Sequence, residues 1–163
     1  MAGGAGHDTF YLDNASDSAK DDVNGGTDLV ISSASEVLTA NVENLTLTGV
    51  ANITGTGNGL DNVIIGNDGV NRLDGGMGDD TLTGGLGADV FMFNPGSGQD
   101  VVTDFSATQR DLIHVKAYSH GVVGGGGIVL SQVGGDTLID FGGGNTVLID
   151  GVLKADVISH MGW

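Results

Sequence analysis

Two nine-residue segments adjoin without a gap: Gly75-Gly76-Met77-Gly78-Asp79-Asp80-Thr81-Leu82-Thr83 and Gly84-Gly85-Leu86-Gly87-Ala88-Asp89-Val90-Phe91-Met92. Both carry glycine at positions one, two and four, aspartate at six and a large apolar residue at eight. A fixed short period constrains a fold more than local propensity does, because each unit must stack on its neighbours to bury its one apolar side chain. The register extends back to "GNGLDNVII" (57–65) and "GNDGVNRLD" (66–74). A further copy, "GGAGHDTFY", stands at 3–11, and "PGSGQDVVT" at 95–103 resumes the series after the two-residue insertion Phe93-Asn94. Ile64, Leu73, Leu82 and Phe91 at position eight have mainly polar or small flanks and read as very short strands with one side chain inward. Six residues of turn reverse the chain between strands. Two units then complete one coil of about eighteen residues, and successive coils stack as parallel strands roughly 4.8 Å apart.

Composition narrows what such a stack can bind. Lys+Arg 5 against Asp+Glu 21 leaves a formal charge of −16, while 39% hydrophobic residues are too many for a disordered acidic tail. Nucleic acid and anionic membrane surfaces would need a basic patch and are disfavoured as partners; metal cations are favoured. Cysteine is absent, so hard oxygen ligands remain. No apolar run approaches the roughly 18 residues of a membrane span, and "MAGGAGHDTF" has no signal-peptide pattern.

Three regions follow from the pattern. Residues 1–56 read as irregular coils or an N-terminal cap: the β-rich pieces "TDLVISS", "ENLTLTG" and "ANITGTG" keep no glycine period, and 14–26 is the most polar stretch and the expected loop. Side-chain amide ladders from Asn44 and Asn52 could stand there in place of metal-bound carboxylates. Residues 57–104 hold the regular coils. In residues 105–163 "IVLSQV", "DTLIDF" and "TVLID" are separated by glycine pairs and triplets suited to antiparallel hairpins, which predicts a β cap over the open end of the stack.

The spacing also predicts the chemistry. Calcium takes six to eight oxygens from carboxylates and backbone carbonyls. Glycines let the turn aim carbonyls inward, and the position-six aspartate adds charge. Turns eighteen residues apart lie above one another on the same edge, which pairs Asn62 with Asp80 and Asn71 with Asp89. Asp80 pairs with Asp100 if Phe93-Asn94 bulges out. Sites using Asn62 or Asn71 should be weaker than one formed by Asp80 and Asp100.

"GGMGDDTLT" and "GGLGADVFM" match the RTX (repeats-in-toxin) signature, Gly-Gly-x-Gly-x-Asp-x-apolar-x, at every specified position, and "GQDVVTDFSATQRDLIHV" resembles that family's region after its last repeat. The resemblance implies an all-β, calcium-bound parallel β-roll in a secreted bacterial protein, exported by a type I machinery that reads an uncleaved C-terminal signal. That signal would lie in "KADVISHMGW". It further implies backbone ligands at Gly57, Gly59, Gly66, Asp68, Gly75 and Met77, with Gly76, Gly78, Gly85, Gly87 and Gly98 opposite. These would join Asp80, Asp89, Asp100, Asn62, Asn71 and, in the first copy, Asp8. Asp104 and Asp111 are candidates to cap the last site. Asn58, Leu60 and Asn67 depart from the pattern.

No catalytic constellation accompanies the repeats. There is no Walker-type Gly-Lys, no Gly-x-Ser-x-Gly elbow and no His-Glu-x-x-His, and the four histidines lack helical ligand spacing. Clustered carboxylates repel one another while each half-coil buries one large side chain, so the roll is expected to be largely unfolded without metal. The expected function is a non-catalytic calcium module supporting folding and export of a larger protein whose other domain lies upstream. An acidic-polysaccharide-binding accessory is the alternative, and a free-standing hydrolase is the weakest of the three readings.

Overall fold

A computed structural model of the chain describes residues 1–14, 16–115 and 128–162. The elements run β1 (Thr9–Leu12), β2 (Leu29–Ser32), β3 (Glu36–Val37), β4 (Asn44–Leu47), β5 (Thr54–Thr56), β6 (Val63–Ile65), β7 (Arg72–Asp74), β8 (Thr81–Thr83), β9 (Val90–Phe93), β10 (Gln99–Val102) and β11 (Leu112–Val115). Then come β12 (Val129–Val133), β13 (Asp136–Gly142), β14 (Asn145–Ile149), α1 (Lys154–Ile158) and β15 (Met161–Gly162). Alternate half-coils go to opposite sheets. One sheet has the order β1-β2-β4-β6-β8-β10-β14-β13-β12 and the other β15-β11-β9-β7-β5-β3. This is the expected all-β parallel roll.

The register follows the repeat. Within the tandem block β6 pairs with β8 and β7 with β9, each at a spacing of eighteen: Ile64 faces Leu82 and Leu73 faces Phe91. The inward residues line up into ladders. Phe10, Val30, Leu45, Ile64, Leu82 and Val102 are in register on one sheet, and Gly55, Leu73, Phe91 and Ile113 on the other. Ile64, Leu73, Leu82 and Phe91 are all fully buried, so the two ladders meet as a narrow core between the sheets. Gly55 has a steric role in it: a Cβ there would come within 3.1–3.3 Å of Leu45, Ile64 and Leu47 from the facing sheet.

The strands from β1 to β6 are joined by turns of uneven length. β1 and β2 pair at a spacing of twenty, β2 and β4 at fifteen, and β4 and β6 at nineteen. Strand pairing is preserved because the added or missing residues lie in the turns, where backbone length is not tied to a partner.

The insertion Phe93-Asn94 does not bulge outward. Phe93 extends β9, is buried, and stacks on Phe141 with ring centroids 6.3 Å apart. A phenyl ring left in water would forfeit the transfer free energy of a large apolar side chain, so the strand absorbs it. Asn94 reaches back to Asp74, Nδ2 donating to Oδ2 at 3.2 Å.

At the C-terminal end the cap forms as an antiparallel β12-β13-β14 meander, turning at Gly134-Gly135 and Gly143-Gly144. Its last strand joins the roll in parallel against β10. β11 continues the parallel stack past residue 105, and β15 closes that sheet beside it. The glycine run 124–127 and His120 lie outside the described residues.

A core one side chain wide cannot repack easily around a cavity. Leu82→Ala should cost about 2–5 kcal/mol of the calcium-loaded fold's stability. Leu86→Ala, at a position 59% exposed, should change it by less than about 0.5 kcal/mol. Thermal unfolding of both variants in saturating calcium checks the difference.

Candidate metal centre

The turns of the roll form two rows, one along each edge. The residue at position six stands at the start of a strand and is tied to the coil before it. Asp80 Oδ1 accepts the Asn62 N–H at 2.8 Å, Asp100 Oδ1 accepts the Asp80 N–H at 3.1 Å, and on the other edge Asp89 Oδ1 accepts the Asn71 N–H at 2.7 Å. These bonds stack Asn62 on Asp80 and Asn71 on Asp89, and they stack Asp80 on Asp100 although Phe93-Asn94 does not bulge out as that pairing had required. Asp111 Oδ1 continues the second row on the Asp89 N–H at 2.9 Å.

Each of these bonds uses one carboxylate oxygen. The other, Oδ2 of Asp80, Asp89 and Asp100, is buried with no hydrogen-bond partner. The residues are 1%, 0% and 3% exposed. Burying a carboxylate without compensation is costly, and native structures rarely leave such a group unsatisfied without an ion or water to meet it. Burial is accordingly the first cause that pushes the Asp80 carboxyl up to about 7; Asp100, Asp61 and Asp74 add to it, and the Asn62 N–H opposes it. Asp89 and Asp100 are each pushed up to about 6, again chiefly by burial and against a backbone N–H.

The glycines shape the space around these oxygens. A Cβ at Gly75 would collide with Asp80 Oδ2, and one at Gly84 would lie 2.5 Å from Asp89 Oδ2. Position four needs glycine for a second reason: φ is +115° at Gly78 and +122° at Gly87, which side chains rarely tolerate. Gly76, Gly85 and Gly98 also have positive φ, and their open α-carbon sides face the carbonyls of Asn58, Asn67 and Gly78 in the preceding coil. Buried carboxylate oxygens without donors, on turns rich in backbone carbonyls, are what a hard cation such as calcium requires. Asp80, Asp89 and Asp100, with the carbonyls of their turns, could hold it.

Turns 57–62 and 66–71 are built differently. Asn58 Nδ2 donates to Thr39 O and Val42 O at 2.8 and 2.7 Å, and Asn67 Nδ2 donates to Thr48 O and Ala51 O at 3.1 and 3.0 Å. Asn62 Oδ1 accepts the Asn58 N–H, and Asn71 Oδ1 accepts the Asn67 N–H. The departures from the repeat at position two thus supply amide donors to turn carbonyls, and the oxygens of Asn62 and Asn71 are engaged by backbone. Gly57 and Gly66 keep the close approach, each facing the carbonyl of the glycine eighteen residues on. Asp68 and Gly59 are exposed, as is the Met77 side chain, while the Met77 backbone N–H donates to Asn58 O at 3.1 Å.

The turn after β10 closes the second row with acceptors. Asp104 takes the Gly84 and Gly85 N–H groups at 2.7 and 2.8 Å, Gln109 Oε1 takes that of Gly87 at 2.8 Å, and Asp111 Oδ2 takes that of Ser106 at 2.8 Å. Both Asp104 oxygens are engaged by amides.

At the other end of the roll, Asp8 donates its N–H to Asp28 Oδ1 at 2.7 Å, repeating the coil-to-coil bond outside the tandem block. Asp28 and Asp21 were not among the residues singled out from sequence. The signal was present for Asp28: Asp28-Leu29-Val30 has the aspartate-x-apolar order of Asp80-Thr81-Leu82. The missing glycines around it hid the match.

Comparison with known proteins agrees with this geometry. The family model of the RTX calcium-binding nonapeptide repeat matches four copies, over residues 1–19 and 56–91. Two relatives from Rhizobium meliloti (strain 1021), the endo-1,3-1,4-beta-glycanases EglC and ExsH, are each 38% identical over 118 residues, which is 72% of this chain. The chain spans 25% of the length of those relatives. Among solved structures, the extracellular lipase LipA from Serratia marcescens aligns with 99% of this chain and 38% of its own, at 15% identity and a TM-score of 0.48. By its repeats, their aspartates and the roll they build, the chain carries RTX calcium-binding nonapeptide repeats over residues 1–19 and 56–91.

Proposed function

We propose that the chain is a non-catalytic module that folds on binding several calcium ions and supports the secretion and stability of a larger bacterial protein. The observation that carries this reading is the set of buried, unpartnered Oδ2 atoms on Asp80, Asp89 and Asp100. Unneutralised, these groups penalise the folded state; a bound cation removes the penalty, so binding free energy becomes folding free energy. Extracellular calcium modules work at about 10⁻⁴–10⁻³ M, far above cytosolic calcium. The chain would therefore cross a type I export machinery unfolded and fold outside the cell. Its upstream partner domain would carry the activity, and the two glycanase relatives favour a polysaccharide-acting enzyme as that parent.

A second reading, in which an acidic polysaccharide lies along the roll, takes from those relatives only that they are named as glycanases. Titration with alginate in saturating calcium tests it, and an absence of binding leaves only the first.

Adding millimolar calcium to metal-free protein should convert a largely unfolded circular dichroism spectrum into a β spectrum; an unchanged spectrum contradicts the proposal. Asp80→Ala should raise the calcium midpoint at least about tenfold, as expected for losing one charged ligand. Asp61→Ala should move it little, because Asp61 is exposed and only accepts the Asp79 N–H at 2.8 Å.

The carboxyl shifts set a pH dependence of opposite sign in the two states. Asp80, Asp89 and Asp100 have folded values of about 7, 6 and 6 against 3.8 as the ordinary value, so the metal-free fold binds more protons than the unfolded chain between those limits. Its stability is greatest below pH 4 and falls as pH rises to 7. Calcium requires the ionised groups, so its stabilisation should fade as pH drops from 7 to 5. Denaturant titrations at pH 4.5 and 7, with and without calcium, check both slopes.

A further inference from the structure

We propose that the outer face of the nine-stranded sheet is a binding site for an uncharged, extended polysaccharide chain, anchored in a groove beside Tyr11. Two columns of outward side chains run up this face in register. The first is Thr9, Leu29, Asn44, Val63, Thr81 and Val101; the second is Tyr11, Ile31, Thr46, Ile65 and Thr83. Thr103 continues the second column, its Oγ1 2.8 Å from that of Thr83. None of these residues is buried and none is charged, although the chain holds Asp+Glu 21. On the other sheet, by contrast, the outward positions of β7 hold Arg72 and Asp74.

A surface without charge gives an ionic partner nothing to pair with, and the net charge of −16 repels an anion at longer range. Mixed aliphatic, hydroxyl and amide side chains suit a ligand that presents both C–H and O–H groups. The strip is about 24 Å long at the strand spacing of ~4.8 Å, and only two outward residues wide. That falls well short of the roughly 800 Å² per partner of a stable protein interface, but it accommodates one extended chain.

At the Tyr11 end the strip opens into a groove of about 260 Å³ lined by Tyr11, Leu12, Asp13, Ile31, Ser33 and Thr48. Tyr11 is 71% exposed, whereas all five phenylalanines are buried. A tyrosine ring offers an apolar face and a polar tip at low conformational cost. One sugar ring can lie on that face, with the Asp13 carboxylate and the Ser33 hydroxyl beside it to receive hydroxyl groups. An ionised carboxylate only accepts hydrogen bonds, so Asp13 suits the O–H donors of a neutral sugar and repels the carboxylate of a uronic acid. The ligand therefore differs from the acidic polysaccharide proposed above, and its site is the sheet face, separate from the calcium turns.

The test uses the full chain folded in calcium, with cellohexaose as the neutral extended probe and alginate as the charged one, read by titration calorimetry. Cellohexaose should bind, and alginate should bind at least about tenfold more weakly. Tyr11→Ala should weaken cellohexaose binding at least about tenfold, while Tyr11→Phe keeps the ring and most of the affinity. Ile65→Asp, which sets a charge in mid-strip at a position 40% exposed, should weaken it comparably and leave the parent's calcium-dependent circular dichroism unchanged. The proposal is overturned by a parent chain that does not bind cellohexaose, by binding that neither Tyr11→Ala nor Ile65→Asp alters, or by alginate binding as tight as that of cellohexaose. Self-association of the parent that Ile65→Asp abolishes overturns it too, because the face then belongs to a second copy.

Discussion

The structure depends on one contact repeated up the stack: a position-six aspartate oxygen accepts the backbone N–H of its counterpart one coil earlier. It fixes the spacing of successive turns and places each aspartate in a buried position. It also divides the carboxylate in two. Oδ1 joins the lattice of backbone hydrogen bonds, and Oδ2 is left buried with its charge unmet at Asp80, Asp89 and Asp100. In a molecule of net charge −16 with only five lysines and arginines, that debt falls to a cation from outside the chain.

Where asparagine replaces aspartate the turn closes on itself instead. Asn58 and Asn67 donate to two carbonyls each, and Asn62 and Asn71 accept from them, so turns 57–62 and 66–71 are satisfied by amides. The first row of turns therefore runs from acid at Asp8, Asp28 and Glu43, whose Oε2 accepts the Asp28 N–H at 2.8 Å, through amide at Asn62, to acid at Asp80 and Asp100. An amide section between two charged ones spaces like charges apart, and it gives the middle of the roll a source of cohesion that does not wait for metal.

Much of this was legible in the tandem units. A strict nine-residue period with one apolar position implied two sheets, an eighteen-residue coil and the burial of Ile64, Leu73, Leu82 and Phe91, and each follows from the need to stack. The coils before residue 57 were less legible because β pairing constrains strands and leaves turn length free. Spacings of fifteen, nineteen and twenty erase the period while the sheet continues unbroken. Phe93 misled for a related reason: counted as an insertion it belongs outside, yet its ring is worth more against Phe141 than in water.

By itself the sequence determined the roll and its preference for hard cations, because periodicity and the lack of cysteine or basic patches are properties of residue order and composition. Only the tertiary structure decided which polar atoms remain unpaired. Asn58 looks like a defect in the repeat until its amide is found on the Thr39 and Val42 carbonyls, and Asp21 looks like part of a polar loop until it closes on Asp8 and Asp28. Both outcomes rest on contacts between neighbouring coils whose turns differ in length. Hydrogen-bond satisfaction is a matter of ångströms between coils, which no spacing along one strand of text records.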